Sequence, residues 1–313
     1  MELKYPKDKY PRISVITVVY NRAEMIERAI KSALIQNYPN MEYLVLDAAS
    51  TDGTVEIINK YHSNIDYFRS HKDSGPAAAI NEGIDKSTGE IIALLNSDDF
   101  FEPNILIKVG EAFIENPNAE MVNFNVKVLI RTNSGEMKIE HVSKTEDLEF
   151  KKGQLNKLYT LGRFYKKSLY EKYGKYVETV NGKRAIANDY EHIIKLSIYG
   201  VNNVTLDTIG YTCEAHEQSL SFNTSKYTKL RVNEEKAFYL ESLLKDHEQH
   251  IGAEFKAALL KEHKKAHART VVKHIIDKNF KKAASSIANH IKKNGVLSVI
   301  SIARFYISYI LRK

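Results

Sequence analysis

The sequence predicts an α/β fold: a mostly parallel sheet flanked by helices, followed by a helical C-terminal region. Three observations carry that reading. Short β-branched runs alternate with helical patterns of about 10–15 residues, the signature of right-handed βαβ units. Those runs end in polar or acidic residues, at the edge where open α/β sheets bind ligands. From about residue 226 the pattern is helical, lysine-rich and almost free of strand signal.

Taken in order, Arg12–Asn21 is a β-branched strand closed by a polar residue. A helix over roughly 23–36 follows, with Ile26, Ala29, Ile30, Ala33 and Leu34 on one face. The strand Tyr43–Leu46 runs into the loop Asp47-Ala48-Ala49-Ser50-Thr51-Asp52-Gly53-Thr54, and the next helix carries Val55, Ile58 and Tyr61. Ser50 and Asp52 suit turn and helix-capping chemistry as well as ligand contact. After Ile65–Phe68, the segment Asp73–Gly83 opens the helix that precedes the apolar run Ile91–Leu95. That run reads as a strand buried in a parallel sheet, and it delivers Asn96-Ser97-Asp98-Asp99. Adjacent carboxylates repel unless a cation or a hydrogen-bonded ligand joins them, and a hard divalent metal bridging to a diphosphate is a natural partner. The alternative is that Asp98 or Asp99 only caps the helix entered at Glu102-Pro103.

The second half continues with a helix over 102–116 and two strand-like runs, 120–130 and 136–142, joined by the hairpin signal Asn133-Ser134-Gly135. Asn188 with Glu191 three residues later reads as a capping box, so a helix starts there and places Asp189 in its first turn. A strand over 203–215 leads to His216. His263, His267, His274 and His290 read as polar-face residues of the C-terminal helices.

In the order and spacing of its motifs the chain resembles the family 2 glycosyltransferases of GT-A fold. The matches are Tyr20-Asn21 after the first strand, the loop 47–54, the Gly-x-x-x-Ala-x-Asn-x-Gly segment at 75–83, and Thr88-Gly89-Glu90 leading to Ser97-Asp98-Asp99. The resemblance covers about 11–225, with 11–100 as the nucleotide-sugar half, 101–225 as the acceptor half, and 226–313 as a helical basic region. It implies inverting transfer of a sugar from a nucleotide diphosphate, with a UDP-sugar expected, to an acceptor hydroxyl. It also implies Mn²⁺ or Mg²⁺ held by Asp99, with His216 completing the coordination or binding phosphate, and Asp98 facing the ribose or sugar. Nucleotide contacts are expected from Val18, Tyr20, Asp47, Asp73 and Asn81, and Asp189 matches the general base. Two departures stand out. Ala48 replaces an acidic residue that reads the base in many relatives, which keeps thymidine and guanosine open. Thr160 stands where relatives often carry a histidine upstream of Phe164, so a phosphate role for Arg163 is only a guess.

The single cysteine, Cys213, rules out an intramolecular disulfide and a cysteine-based zinc cluster, and suits a reducing compartment. The polar start Met1–Tyr10 shows no signal peptide, and no run reaches the ~18 apolar residues of a spanning helix. The whole chain carries +7, whereas residues 271–313 hold seven Lys and two Arg against Asp277, a net +8. Within Val296–Arg312 the polar residues fall on one stripe of an otherwise apolar helix. That pattern suits an anionic membrane interface; the rival is packing on the enzyme or in a homodimer. The expected location is cytoplasmic, peripheral on the inner face of the cell membrane, with a glycan or lipid-linked acceptor of bacterial surface-polysaccharide assembly. No nucleic-acid motif accompanies the charge, so no nucleic-acid partner is expected. Two other function classes remain. A sugar-phosphate nucleotidyltransferase would need a Gly-rich phosphate loop that Ser14–Arg22 lacks, and a non-catalytic nucleotide-sugar-binding scaffold would not need Asp98, Asp99 and Asp189 together.

Overall fold

The structure, a computed structural model, describes residues 2–131, 136–143, 161–216, 226–276, 279–295, 298–300, 302, 303 and 306. The hairpin signal at 133–135, Thr160, residues 217–225 and most of the stripe in Val296–Lys313 therefore lie outside the described residues.

Packing divides the chain into two compact units. The first comprises residues 2–131, 136–143, 161–184 and 200–216, and the second 185–199 and the described residues from 226 onward. This division differs from the ranges read in the sequence, because residues 185–199 cluster with the C-terminal helices.

In the first unit, strands β1 (Ile13–Val19), β2 (Met41–Asp47), β3 (Tyr67–Ser70) and β4 (Ile91–Leu94) are linked by helices α1 (Ile26–Leu34), α2 (Thr54–Asn59) and α3 (Pro76–Lys86). These four strands are mutually parallel in the order β3-β2-β1-β4. The runs of β1, β2 and β4 are almost continuously buried, as in a parallel sheet covered on both faces; Ile13, Val15, Tyr43, Leu44, Val45, Ile91 and Ile92 are wholly buried. A Cβ at Gly83 would lie 2.7 Å from Ile16 Cγ2, so this motif glycine lets α3 sit directly on β1.

The sheet continues through β5 (Phe100–Phe101), β6 (Met121–Arg131), β7 (Met137–Ser143), β8 (Arg163–Lys166) and β11 (Asn203–Ala215), with α4 (Ile105–Glu115) and α5 (Ser168–Tyr173) on the connections. A separate two-stranded ribbon joins β9 (Thr179–Val180) to β10 (Lys183–Arg184). The order runs β4-β8-β6-β11-β5, with β7 paired to β6. β8 is antiparallel to both β4 and β6, and β6 is parallel to β11. The chain directions of β4, β6 and β11 therefore agree, and their carboxyl ends share one edge with those of β1–β3. The expected hairpin is present as β6 and β7. Arg163 is buried in β8, where its Nη1 donates to Asn123 Oδ1 at 2.8 Å, so the guessed phosphate role finds no support.

In the second unit, α6 (Asn188–Ile198) is followed by α7 (Lys226–Asp246), α8 (Ala253–Ile276) and α9 (Phe280–Asn294). Its core includes Ala268, Val271, Val272 and Ile302, with Ile275, Ile276 and Ile287 packed against them. Two expectations need correction here. The helix does start at Asn188, but without the capping box: Glu191 is buried and pairs with Lys195 at 3.2 Å. Glu235 of α7 takes over instead, accepting the backbone N–H groups of Ile186 at 2.7 Å and Ala187 at 2.9 Å. Three of the four helical histidines also do not face water, since His263, His274 and His290 are buried, while His267 is half-buried. Among the described residues, no helix is long and apolar enough to cross a membrane.

Candidate active site at the carboxyl edge of the sheet

Strand order reverses between β1 and β4, and in open α/β sheets ligands enter the crevice outside the carboxyl ends at such a switch point. The register sets the β1 and β2 ends level, with Val19 opposite Asp47, so the following loops meet. Asn21, at φ 50°, accepts the Thr51 N–H at 2.9 Å through its side chain and donates its own N–H to Ser50 Oγ at 2.8 Å. Asp52 accepts the Ala23 N–H at 3.0 Å and the Thr54 N–H at 3.1 Å. Ser50 and Asp52 thus do the turn-building work that was one of their two readings. Gly53 turns at φ 98°, a conformation costly for any side chain-bearing residue.

Several of the expected ligand contacts also hydrogen-bond within the protein. Asp47 is buried, and its carboxylate accepts from the Ser50 N–H at 2.9 Å, Ser50 Oγ at 2.5 Å and Ser70 Oγ at 2.6 Å. Asp73 accepts from Arg69 Nη2 at 3.1 Å and from the Gly75 N–H at 2.9 Å. Asn81 donates to the Tyr176 carbonyl at 2.9 Å and to Glu178 at 3.0 Å, and accepts the Tyr176 N–H at 3.0 Å. All three hydrogen-bond within the loops they join. Arg69, which the sequence reading did not single out, is the hub: its buried guanidinium reaches the Asp47 carbonyl at 2.6 Å, Asp73 and Glu82. Val18 is half-buried, while Tyr20 is 57% exposed and offers a ring face at the end of β1.

At the end of β4 the two carboxylates separate by environment. Asp99 is buried, and its oxygens accept from Asn96 Nδ2 at 2.9 Å, Tyr211 OH at 2.8 Å and the Glu214 N–H at 3.1 Å. Asp98 is partly open, and its Oδ2 lies 2.9 Å from His216 Nε2 and 4.0 Å from Arg22 Nε. Its backbone carbonyl accepts from Arg28 Nη2 at 2.9 Å. Neither carboxylate caps α4, whose N-cap is Asn104. A carboxylate oxygen and an imidazole nitrogen converging at 2.9 Å form a donor set that fits Mn²⁺, or Mg²⁺ through the carboxylate.

Burial first, and the Asp98 charge second, push the Asp99 carboxyl up to about 6, and three donors do not offset the desolvation. A raised carboxyl favours the neutral form in the fold. Its stabilising contribution is full below the ordinary pKa of 3.8 and is lost as pH rises through about 6. Urea unfolding in EDTA at pH 4 and pH 7 should show a loss on the order of 2–3 kcal/mol attributable to this group, at ~1.4 kcal/mol per unit. Asp99→Asn should remove that slope while adding a constant offset; an identical pH slope in the variant would refute the assignment.

Asp189 belongs to the second compact unit. It is exposed in the first turn of α6, where its Oδ1 accepts the Tyr190 N–H at 2.8 Å. Its charge acts on Lys236 of α7.

Acidic and aromatic groups gathered at the switch point of an α/β sheet stand where such proteins bind their ligands. Residues 14–174, more than half of the chain, match the family described as glycosyl transferase family 2, and the chain belongs to that family. An uncharacterized glycosyltransferase of Rickettsia conorii is 45% identical over 109 residues, 34% of this chain and 18% of that protein. The putative teichuronic acid biosynthesis glycosyltransferase TuaG of Bacillus subtilis is 35% identical over 108 residues, 34% of this chain and 43% of that one. The matches thus span less than half the length of these relatives. Among solved structures, S. aureus TarS 1–349 in complex with UDP-GlcNAc superposes with a TM-score of 0.62 at 17% identity, covering 90% of this chain and 81% of that one. The mannosyltransferase PcManGT of Pyrobaculum calidifontis, in complex with GDP-Man and Mn²⁺, gives 0.57 at 18% identity, covering 99% and 83%. At these identities the likeness establishes the fold, which is that of the GT-A glycosyltransferases.

Proposed function

We propose that the protein transfers a sugar from a nucleotide diphosphate to an acceptor hydroxyl, with inversion and with a divalent cation held at the end of β4. The observation that carries this reading is the Asp98–His216 pair at the switch point of a family 2 chain. The geometry favours Asp98, rather than the internally satisfied Asp99, as the carboxylate that meets the cation, with His216 beside it. Bound there, Mn²⁺ or Mg²⁺ would neutralise charge developing on the leaving diphosphate.

The chain's own residues do the rest. Tyr20 offers its exposed ring to the base, and the Arg69 hub fixes the β2 and β3 loops that border it. Asp189 takes the acceptor proton as the oxygen attacks the anomeric carbon. The neighbours' UDP-GlcNAc and GDP-Man support a nucleotide-sugar donor, with UDP-sugars the first to try. The name of TuaG supports a surface glycan, free or lipid-linked, as acceptor.

The test is a panel of UDP-, GDP- and dTDP-sugars incubated with purified protein and Mn²⁺, following release of the nucleoside diphosphate. One donor should be hydrolysed in an EDTA-sensitive manner. Donor binding without turnover, with any acceptor glycan, would instead favour the scaffold reading, and no binding of any donor would defeat both.

A further inference from the structure

The second unit contains a cluster that the transfer reaction does not use. Glu241 of α7 and His263 and His267 of α8 each offer a ligand atom, and these atoms lie within 4.8 Å of one another. They are the only such group of His, Cys, Asp or Glu side chains among the described residues. We propose that Glu241, His263 and His267 form a binding site for a first-row transition dication, Zn²⁺ foremost, that ties α7 to α8.

Four features support it. Positions 263 and 267 are one helical turn apart, which puts both imidazoles on the same face, with ring centroids 4.6 Å apart. His263 is 6% exposed, and the Nε2 atoms of both rings are buried with no hydrogen-bond partner among the described residues. Buried polar atoms without partners are rare in native proteins and ask for an unseen water or ion. Two imidazoles and one carboxylate form a known zinc ligand set that leaves a fourth position for water. Burial also pushes both imidazoles down, His267 to about 4, so they are neutral at pH 7 as metal ligands must be.

The arrangement needs adjustment to bind. Tetrahedral zinc with ligands at roughly 2.0–2.1 Å sets donors about 3.3 Å apart, so the widest separation must close by rotamer changes. Lys293 of α9 now bonds the Glu241 carboxylate and would have to release it. His290, whose ring lies 6.0 Å from that of His267, stays outside the triad, with its Nε2 3.3 Å from the Ser298 carbonyl.

The experiment uses the full chain, stripped with EDTA and carrying Asp98→Asn and His216→Asn so that the other candidate metal site cannot compete. Calorimetric titration with Zn²⁺ should show about one ion per chain, binding at micromolar or tighter concentration and raising the melting temperature. His263→Gln with His267→Gln should weaken binding at least a hundredfold, Glu241→Gln about tenfold, and Lys293→Met should tighten it. X-ray absorption of the zinc-loaded protein with both histidines intact should show two imidazole ligands, a readout independent of whether the histidine variants fold. Absence of stoichiometric binding, undiminished affinity in the double histidine variant, or a spectrum with one imidazole or none would overturn the proposal.

Discussion

Asp98→Asn is expected to lower turnover by roughly 10²–10³-fold, the scale on which a lost electrostatic stabiliser of the transition state is felt. It should also remove most of the metal-dependent gain in nucleotide affinity. The substitution keeps the size of the side chain but deletes the charge beside His216 Nε2, 2.9 Å away. Folding should change little, because a partly open loop carboxylate buries little apolar area. Asp99→Asn separates the two roles: it disturbs a buried group that accepts from Asn96, Tyr211 and Glu214, so its first effect is on stability. Calorimetry of the nucleoside diphosphate with and without Mn²⁺, run on both variants, decides the matter. If Asp98→Asn kept metal-dependent binding and a stably folded Asp99→Asn lost it, the cation would belong to Asp99, as the family resemblance first suggested.

The carboxyl edge of the sheet was legible in the sequence because β1, β2 and β4 are buried apolar runs that stop at a polar residue. Val19 to Asn21, Leu46 to Asp47 and Leu94 to Asp98 all obey that pattern. The pattern could not say which way each polar group turns. Asp47, Asn81 and Asp99 accept from Ser70, Tyr176 and Tyr211, which lie 23, 95 and 112 residues away, Asp47 and Asp99 doing so beside local partners. No local signal announces such partners. The same limit explains α6, where a plausible local cap loses to Glu235, 48 residues beyond Ala187. The antiparallel β8 between β4 and β6 is also a tertiary choice, since a four-residue strand carries no mark of its direction. The burial of His263 and His274 carries no sequence signal because His sits comfortably on either face, and α8 mixes polar and apolar residues all round.

Asp189→Asn should separate chemistry from binding. Asp189 is an exposed carboxylate in the first turn of α6. The amide keeps the shape and can still accept the Tyr190 N–H, but it cannot take the proton of an attacking hydroxyl. Transfer to the acceptor should fall by roughly 10²–10⁴-fold, the usual range for general-base catalysis. The Michaelis constant for the donor should stay within about threefold, because the nucleotide contacts proposed here all come from the first compact unit. A variant that transfers sugar at near wild-type rate would place the base on another residue and leave Asp189 with only its place at the start of α6.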